Sequence, residues 1–269
     1  MSWTLDRIGN VWSRRVVTPA YEWLYSRYRR RLDIDLSFSE VMSRYHSRSD
    51  VYAYMHHCFR YQCPTEITGH REYFRQGNRG FGEDAHYAAW WLLLKEYRPT
   101  TCLEIGVYRG QTVCLWALIG DLEGMQLDVH GVSPFDATGD QVSKYRSDID
   151  YLEDTKDNFS HFGLPLPTFV RDLSTGTTAV SHIAGRTWDL VYIDGCHDFD
   201  VALSDYQLCK EKLSGHGLLV LDDASAGAWS PPPFAFAGHP GPSKVAAEHA
   251  MCEMSFLGAV GHLNFFRRR

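Results

Sequence analysis

The chain has 269 residues, 44% of them hydrophobic and 22% charged, which suits one sizeable α/β domain with additions and excludes the low-hydrophobicity, high-charge signature of disorder. A formal net charge of -6 and a pI near 6.1 give no global basic signal, so no nucleic-acid partner is expected. Seven cysteines, an odd set with no CxxC pair, suit a reducing cytoplasm without a disulfide framework.

The opening residues, MSWTLDRIGNVWSRRVVTPAYEW, lack the continuous apolar run of a signal peptide, and no stretch reaches the roughly 20 apolar residues of a membrane span. Helical spacing runs over 11–32, where Trp, Tyr and Leu alternate with Arg14, Arg15, Arg27, Arg29, Arg30 and Arg31. Such a helix either packs on protein and solvent or makes peripheral contact with an anionic membrane surface, and Pro19 interrupts its pattern. A second helix is expected over 37–61, with Ser37 and Glu40 matching a capping box. Glycines at 77, 80 and 82 break the pattern before EDAHYAAWWLLLKEY, a helix that stops near Pro99. The change of rhythm divides the chain into a helical extension, 1–80, and a main domain, 81–269.

From there short apolar runs alternate with helical segments. TCLEIGV, MQLDVHGVS, PTFVRDLS, WDLVYID and HGLLVLDDAS read as strands one to five; QTVCLWALIGDL, KYRSDIDYLEDTKDNFSHFG, TTAVSHIAG and FDVALSDYQLCKEKL read as the helices between them. Near-continuous apolar strands separated by helices imply a doubly wound, mostly parallel α/β sheet covered on both faces. The long loop SAGAWSPPPFAFAGHPGP leads to a helix, SKVAAEHAMCEM, and FLGAVGHLNFFRRR forms one or two closing strands around Gly261.

In LEIGVYRGQT, Glu104 ends the first strand, Gly106 allows a tight turn and Gly110 allows close approach at the start of the next helix. The spacing E-x-G-x-x-x-G is not the G-x-G-x-x-G dinucleotide fingerprint. Ligands of open α/β sheets bind beyond the carboxyl ends of the strands, and Glu104, Ser133, Asp172, Asp194 and Asp222 all fall there. Three acids close together, Asp194, Asp222 and Asp223, need a proton or a cation between them. A hard divalent ion such as Mg²⁺ suits an oxygen-rich set, and no Cys/His set has the spacing of a zinc site. A simpler reading has Asp222 capping a turn. His197, three residues past Asp194, is the candidate general base for a hydroxyl, since a neutral imidazole accepts a proton near pH 7. Asp198 and Asp200 are expected to open the following helix. His56, His57 and His239 receive no role, and Phe81, Tyr108, Arg109 and Trp229 either line a pocket or pack.

This succession, with YIDGCHDFDVALSDYQLCKEKLSGHGLLVLDDAS, resembles the class I S-adenosylmethionine-dependent methyltransferases. More narrowly it resembles the methyltransferase-24 group, which includes macrocin O-methyltransferase-like and cephalosporin hydroxylase-like proteins. The resemblance covers about residues 83–269. It implies a Rossmann-like methyltransferase sheet with an antiparallel C-terminal hairpin, S-adenosylmethionine held by Glu104, Gly106, Gly110, Asp172 and Asp194, and Mg²⁺ on Asp194, Asp222 and Asp223. In metal-free relatives the strand-four acid positions the cofactor amine instead. The family's ribose-binding acid at the end of strand two is replaced by Ser133, with Asp136 three residues on, which leaves either to meet the ribose. Some relatives also have Glu-Asp where this chain has Asp222-Asp223. The expected activity is O-methylation of a hydroxyl on a sugar or glycosylated small molecule, with His197 and Asp194 as catalytic residues in a cytoplasmic enzyme. Two alternatives are an NAD(P)-linked oxidoreductase, disfavoured by the missing fingerprint, and a non-catalytic scaffold docking through the N-terminal helices. The acceptor and a homo-oligomeric state are not written in the motifs.

Overall fold

The computed structural model describes residues 35–138, 145–225, 236 and 238–269. The expected helix over 11–32 therefore lies outside the described residues, as does Trp229.

Before the sheet, among the described residues, come four α-helices: α1 (Phe38–Arg44), α2 (Arg48–Tyr61), α3 (Thr65–Arg75) and α4 (Asp84–Tyr97). The Ser37 capping box is present, with the hydroxyl accepting from Glu40 N and the Glu40 side chain accepting from Ser37 N. The single helix expected over 37–61 is in fact two. Ser47 is extended and accepts from Asp50 N, so it caps a fresh helix and the chain turns between Tyr45 and Ser47. α3 had no counterpart in the sequence reading; it begins directly after Pro64, a residue suited to a helix start because it has no N–H to leave unpaired.

The sheet contains β1 (Thr101–Ile105), β2 (Asp128–Ser133), β3 (Thr168–Arg171), β4 (Trp188–Ile193), β5 (Leu213–Leu221), β6 (Ser255–Val260) and β7 (Leu263–Arg267). Their order is β3-β2-β1-β4-β5-β7-β6, parallel through the first five and antiparallel for the closing pair, as the chain rhythm implies. Between the strands run α5 (Gln111–Leu122), α6 (Tyr151–His161), α7 (Thr177–Ala184) and α8 (Phe199–Lys212), and α9 (Pro240–Val245) continues through a wider turn, Ala246–Ala250, to Met251–Glu253.

Alternation along the strands builds two cores. Cys102, Leu190, Tyr192, Leu218 and Val220 point to one face, and Leu103, Ile105, Val191, Ile193, Leu219 and Leu221 to the other. On the first face α4 is buried from Ala85 to Leu94, and Trp90 meets Trp116, Tyr192 and Phe265 at 5.2, 5.1 and 6.0 Å between ring centroids. Phe38 of α1 packs edge-on against Phe265 of β7 at 5.0 Å, so the first helices share this core. A fully buried aromatic or aliphatic side chain contributes about 1.5–3 kcal/mol.

The register levels the carboxyl ends. Gly106 N donates to Val132 O at 2.9 Å, Asp194 N to Ile105 O at 2.8 Å and Asp222 N to Ile193 O at 3.0 Å. The first residues past β1, β4 and β5 thus stand in a row, one strand spacing apart.

Candidate active site at the carboxyl edge of the sheet

The turn after β1 is held by the protein itself. Gly106 has φ 101 and its missing Cβ would collide with the Asp194 carbonyl, so β1 and β4 can approach only with glycine there. Gly110 has φ 80, and a Cβ would lie 2.6 Å from Thr155 Cγ2 of α6. Both glycines are required by neighbouring chain, a cause the spacing alone did not reveal. Between them Arg109, only 6% exposed, donates to both Asp154 oxygens at 2.6 Å and to Gly77 O at 3.0 Å. Arg109 is a clamp and not a pocket wall. Glu104 is 3% exposed and accepts from Val113 N at 3.2 Å, in the first turn of α5; burial pushes its pKa up to about 8.

The other expected cofactor residues divide by accessibility. Ser133 is buried and its hydroxyl accepts from Phe135 N at 3.3 Å, whereas Asp136 is exposed, accepting from Thr138 N at 2.8 Å. Asp172 accepts from Leu173 N, Thr178 N and Ala179 N at 2.9, 3.1 and 3.3 Å, which ties the β3 end to the start of α7. The exposed Phe81 ring lies 5.1 Å from the Tyr108 ring, beside the same turn.

Past β4 and β5 the arrangement reverses: polar groups crowd together. The Tyr192 hydroxyl donates to Asp222 Oδ2 at 2.6 Å and stands 3.2 Å from Asp194 Oδ2. Burial, followed by the charges of Asp222 and Asp223, raises the Asp194 pKa well above its ordinary value. Asp223 adopts φ 50, a left-handed conformation uncommon for a residue with a side chain. Its two oxygens face different partners. Oδ2 is 2.8 Å from His197 Nε2 and 3.7 Å from His239 Nε2; Oδ1 is 3.7 Å from His262 Nε2, which is also 3.3 Å from Asp222 Oδ1. Burial would raise the Asp223 pKa, but the His197 hydrogen bond and the neighbouring imidazoles hold it below its ordinary value.

The chain delivers these histidines by backbone ties. His239 N donates to Asp223 O at 2.7 Å, and Gly241 passes so close to His197 O that a Cβ would collide with it. His262 follows Gly261, φ 57, in the two-residue β6–β7 turn; Ala224 N donates to His262 O at 3.1 Å and Asn264 Nδ2 to Ala224 O at 2.7 Å. Behind it the His86 ring is 4.6 Å away, and Glu83 accepts from the Tyr52 hydroxyl at 2.6 Å. Burial drives His86 down to about 3, whereas for His262 burial is outweighed by Asp222, Asp223 and Glu83, which raise its pKa.

Asp194, Asp222, Asp223 and His197 are brought to one rim. Among the described residues, the groups whose ligand atoms converge within 4.8 Å are His197, Asp223 and His239, and Asp222, Asp223 and His262; Asp194 belongs to neither. His239, His262 and Tyr192 were missed in sequence; their only signals are a lone His in a Pro-rich loop, a His after a turn glycine and a Tyr two residues before an acid. Asp198 does stand at the N-cap of α8, but with no side-chain cap bond, and Asp200 is in its first turn.

Residues 103–224 match the methyltransferase-24 family, described as a methyltransferase domain. No curated protein sequence matches the chain. Among solved structures it is similar to the SAH-bound methyltransferase PaMTH1 of Podospora anserina, with 13% identity, 77% of this chain and 89% of that chain covered and a TM-score of 0.52, a likeness of fold. A methyltransferase of Geobacter sulfurreducens, 13% identical, covers 77% of this chain and 89% of its own at a TM-score of 0.49. An O-methyltransferase of Bacillus cereus in complex with SAH, 11% identical, covers 65% and 74% at a TM-score of 0.46.

Proposed function

We propose that the protein, whose residues 103–224 match a methyltransferase domain, is a class I S-adenosylmethionine-dependent methyltransferase that transfers a methyl group to a hydroxyl of a sugar or glycosylated small molecule. The observation that carries the oxygen acceptor is the contact of 2.8 Å between His197 Nε2 and Asp223 Oδ2 at the sheet's carboxyl edge. S-adenosylmethionine supplies an electrophilic methyl on a sulfonium. The chain supplies the rest.

Asp223, ionised, orients the His197 ring and stabilises it once charged. His197 accepts the hydroxyl proton as the acceptor oxygen bonds to the methyl carbon and the carbon–sulfur bond breaks, its electron pair returning to sulfur. Asp136, the exposed acid beyond β2, is the group we assign to the ribose hydroxyls in preference to buried Ser133. Asp194, whose Oδ2 accepts from the Tyr192 hydroxyl at 3.2 Å, stands in the rim beside Asp222. Phe81 and Tyr108 offer aromatic faces on which an acceptor ring can rest.

Calorimetric titration with S-adenosylmethionine tests the premise, and a protein that does not bind it has another function. Methylation of a panel of glycosylated hydroxyl acceptors tests the acceptor class. Transfer confined to nitrogen or carbon acceptors would remove the need for a rim base.

A further inference from the structure

We propose that Asp222, Asp223 and His262 form a binding site for a first-row divalent transition ion, with Asp194 outside it. The observation is the position of His262. Its Nε2 lies 3.3 Å from Asp222 Oδ1 and 3.7 Å from Asp223 Oδ1, and the three atoms fall within 4.8 Å of one another. These contacts are long for hydrogen bonds. Bonds of about 2.0–2.2 Å place neighbouring donor atoms of a tetrahedral or octahedral shell about 3–3.5 Å apart, so the 3.3 Å contact already matches a shared ion and the other donors would close in on binding.

A second observation points the same way. Asp222 Oδ2 is occupied by the Tyr192 hydroxyl, while Asp222 Oδ1 is buried, makes no hydrogen bond among the described residues and has the His262 imidazole at ion-pair distance, 3.3 Å. A buried carboxylate oxygen left in that state costs free energy that a bound cation would recover. His262 itself is 9% exposed, and the bonds that Ala224 N and Asn264 Nδ2 make to its carbonyl set its backbone at the rim before an ion arrives.

The alternative group, His197, Asp223 and His239, has one contact of 2.8 Å, a hydrogen bond that already employs Asp223 Oδ2. The two oxygens of Asp223 thus separate two tasks: Oδ2 orients His197 and Oδ1 ligates. Asp194 belongs to neither group of converging donor atoms among the described residues, and its Oδ2 lies 3.2 Å from the Tyr192 hydroxyl. One imidazole with two carboxylates favours Zn²⁺ or Co²⁺ over Mg²⁺, which prefers an all-oxygen shell and keeps its waters. This ligand set departs from the three-acid magnesium site that the family resemblance implies, and it stands on the geometry independently of the methyl-transfer reading.

The experiment is equilibrium binding of Zn²⁺, Co²⁺ and Mg²⁺ to the chelator-treated full chain without S-adenosylmethionine, with X-ray absorption at the zinc edge. The expected result is one ion per chain, Zn²⁺ and Co²⁺ bound at least tenfold more tightly than Mg²⁺, and the scattering of one imidazole on zinc. His262→Ala should weaken Zn²⁺ at least tenfold, with Asp194→Asn and His197→Ala within threefold of the parent chain. Equal affinity for Mg²⁺, or full zinc affinity in a folded His262→Ala chain, would overturn the proposal. So would two imidazoles on zinc, which belong to the other group, or none. The absorption measurement on the unaltered chain decides the case even if His262→Ala fails to fold. Cofactor calorimetry fails or succeeds independently of all these outcomes, so the two readings are distinguishable.

Discussion

The turn after β1 and the rim after β4 and β5 lie side by side, yet they are built on opposite terms. In the turn each conspicuous residue is spent on the protein: Gly106 admits the Asp194 carbonyl, Gly110 admits Thr155, Arg109 spans Asp154 and Gly77, and Glu104 meets Val113 N. In the rim the polar groups crowd against one another. Burial and the neighbouring acids raise the Asp194 pKa, Asp222 Oδ1 makes no hydrogen bond among the described residues and Asp223 is held at φ 50. Saturated polar groups give rigidity, whereas crowded and strained ones mark a place where a ligand completes the structure. A rigid turn beside an unfinished rim is a sensible division for a transferase, because alignment of two substrates requires one fixed wall.

The sharpest way to break that comparison is Gly106→Ala. Overlap with the backbone carbonyl of Asp194 cannot be relieved by a rotamer change, and φ 101 is strained for any side chain. A loss of about 3 kcal/mol or more, or no folded protein, is expected in urea titration. Gly124→Ala, at φ 60 with nothing within 4 Å of the new Cβ, should cost only about 1 kcal/mol. Equal losses at the two positions would mean that the β1–β4 crossing is not under steric constraint.

His197→Ala tests the rim in the same spirit. Removing a general base typically lowers turnover about 10²–10⁴-fold. The melting temperature and the affinity for S-adenosylmethionine should stay near those of the parent chain, since His197 is absent from the turn. A variant that turns over normally would remove His197 from the proton transfer.

Glu104→Gln separates the two regions by pH. The folded pKa of Glu104 is raised to about 8 from an ordinary 4.5, so between these values the folded chain binds more protons than the unfolded one. Stability from this group is therefore fully present below about pH 4.5 and lost as pH rises toward 8. Glutamine mimics the neutral form, and the variant's melting temperature should exceed that of the parent chain by a margin that grows between pH 5 and pH 8. A margin independent of pH would show that Glu104 does not titrate in this window.

The sheet was legible because its signal is local: five apolar runs, each four to nine residues long in the structure, alternate with amphipathic helices, and their order places the acids. Asp194, Asp222, Asp223 and His197 were likewise readable as strand-end residues. The break at Ser47 was hidden because both flanking segments keep helical spacing, and only the Ser47 cap distinguishes them. His239 and His262 were invisible for a different reason. They come from a Pro-rich loop and a hairpin turn; the backbone bond to Asp223 O brings in His239 and the pairing of β7 with β5 brings in His262, and neither contact has a local pattern.

The smallest expected effect concerns two aspartates that look alike in sequence. Asp198 precedes α8 and Asp150 precedes α6, and each occupies the N-cap with extended backbone. Asp150 accepts from Leu152 N and Glu153 N at 3.1 and 3.2 Å, whereas Asp198 makes no side-chain cap bond. Asp150→Ala should cost about 1 kcal/mol, the usual loss for a working cap, and Asp198→Ala only a few tenths, roughly the interaction of an acid with the helix dipole. Denaturant melts of the two variants give the difference directly. A larger loss for Asp198→Ala would place that carboxylate in the rim's hydrogen-bond network, and the boundary between fixed wall and unfinished rim would then run inside the first turn of α8.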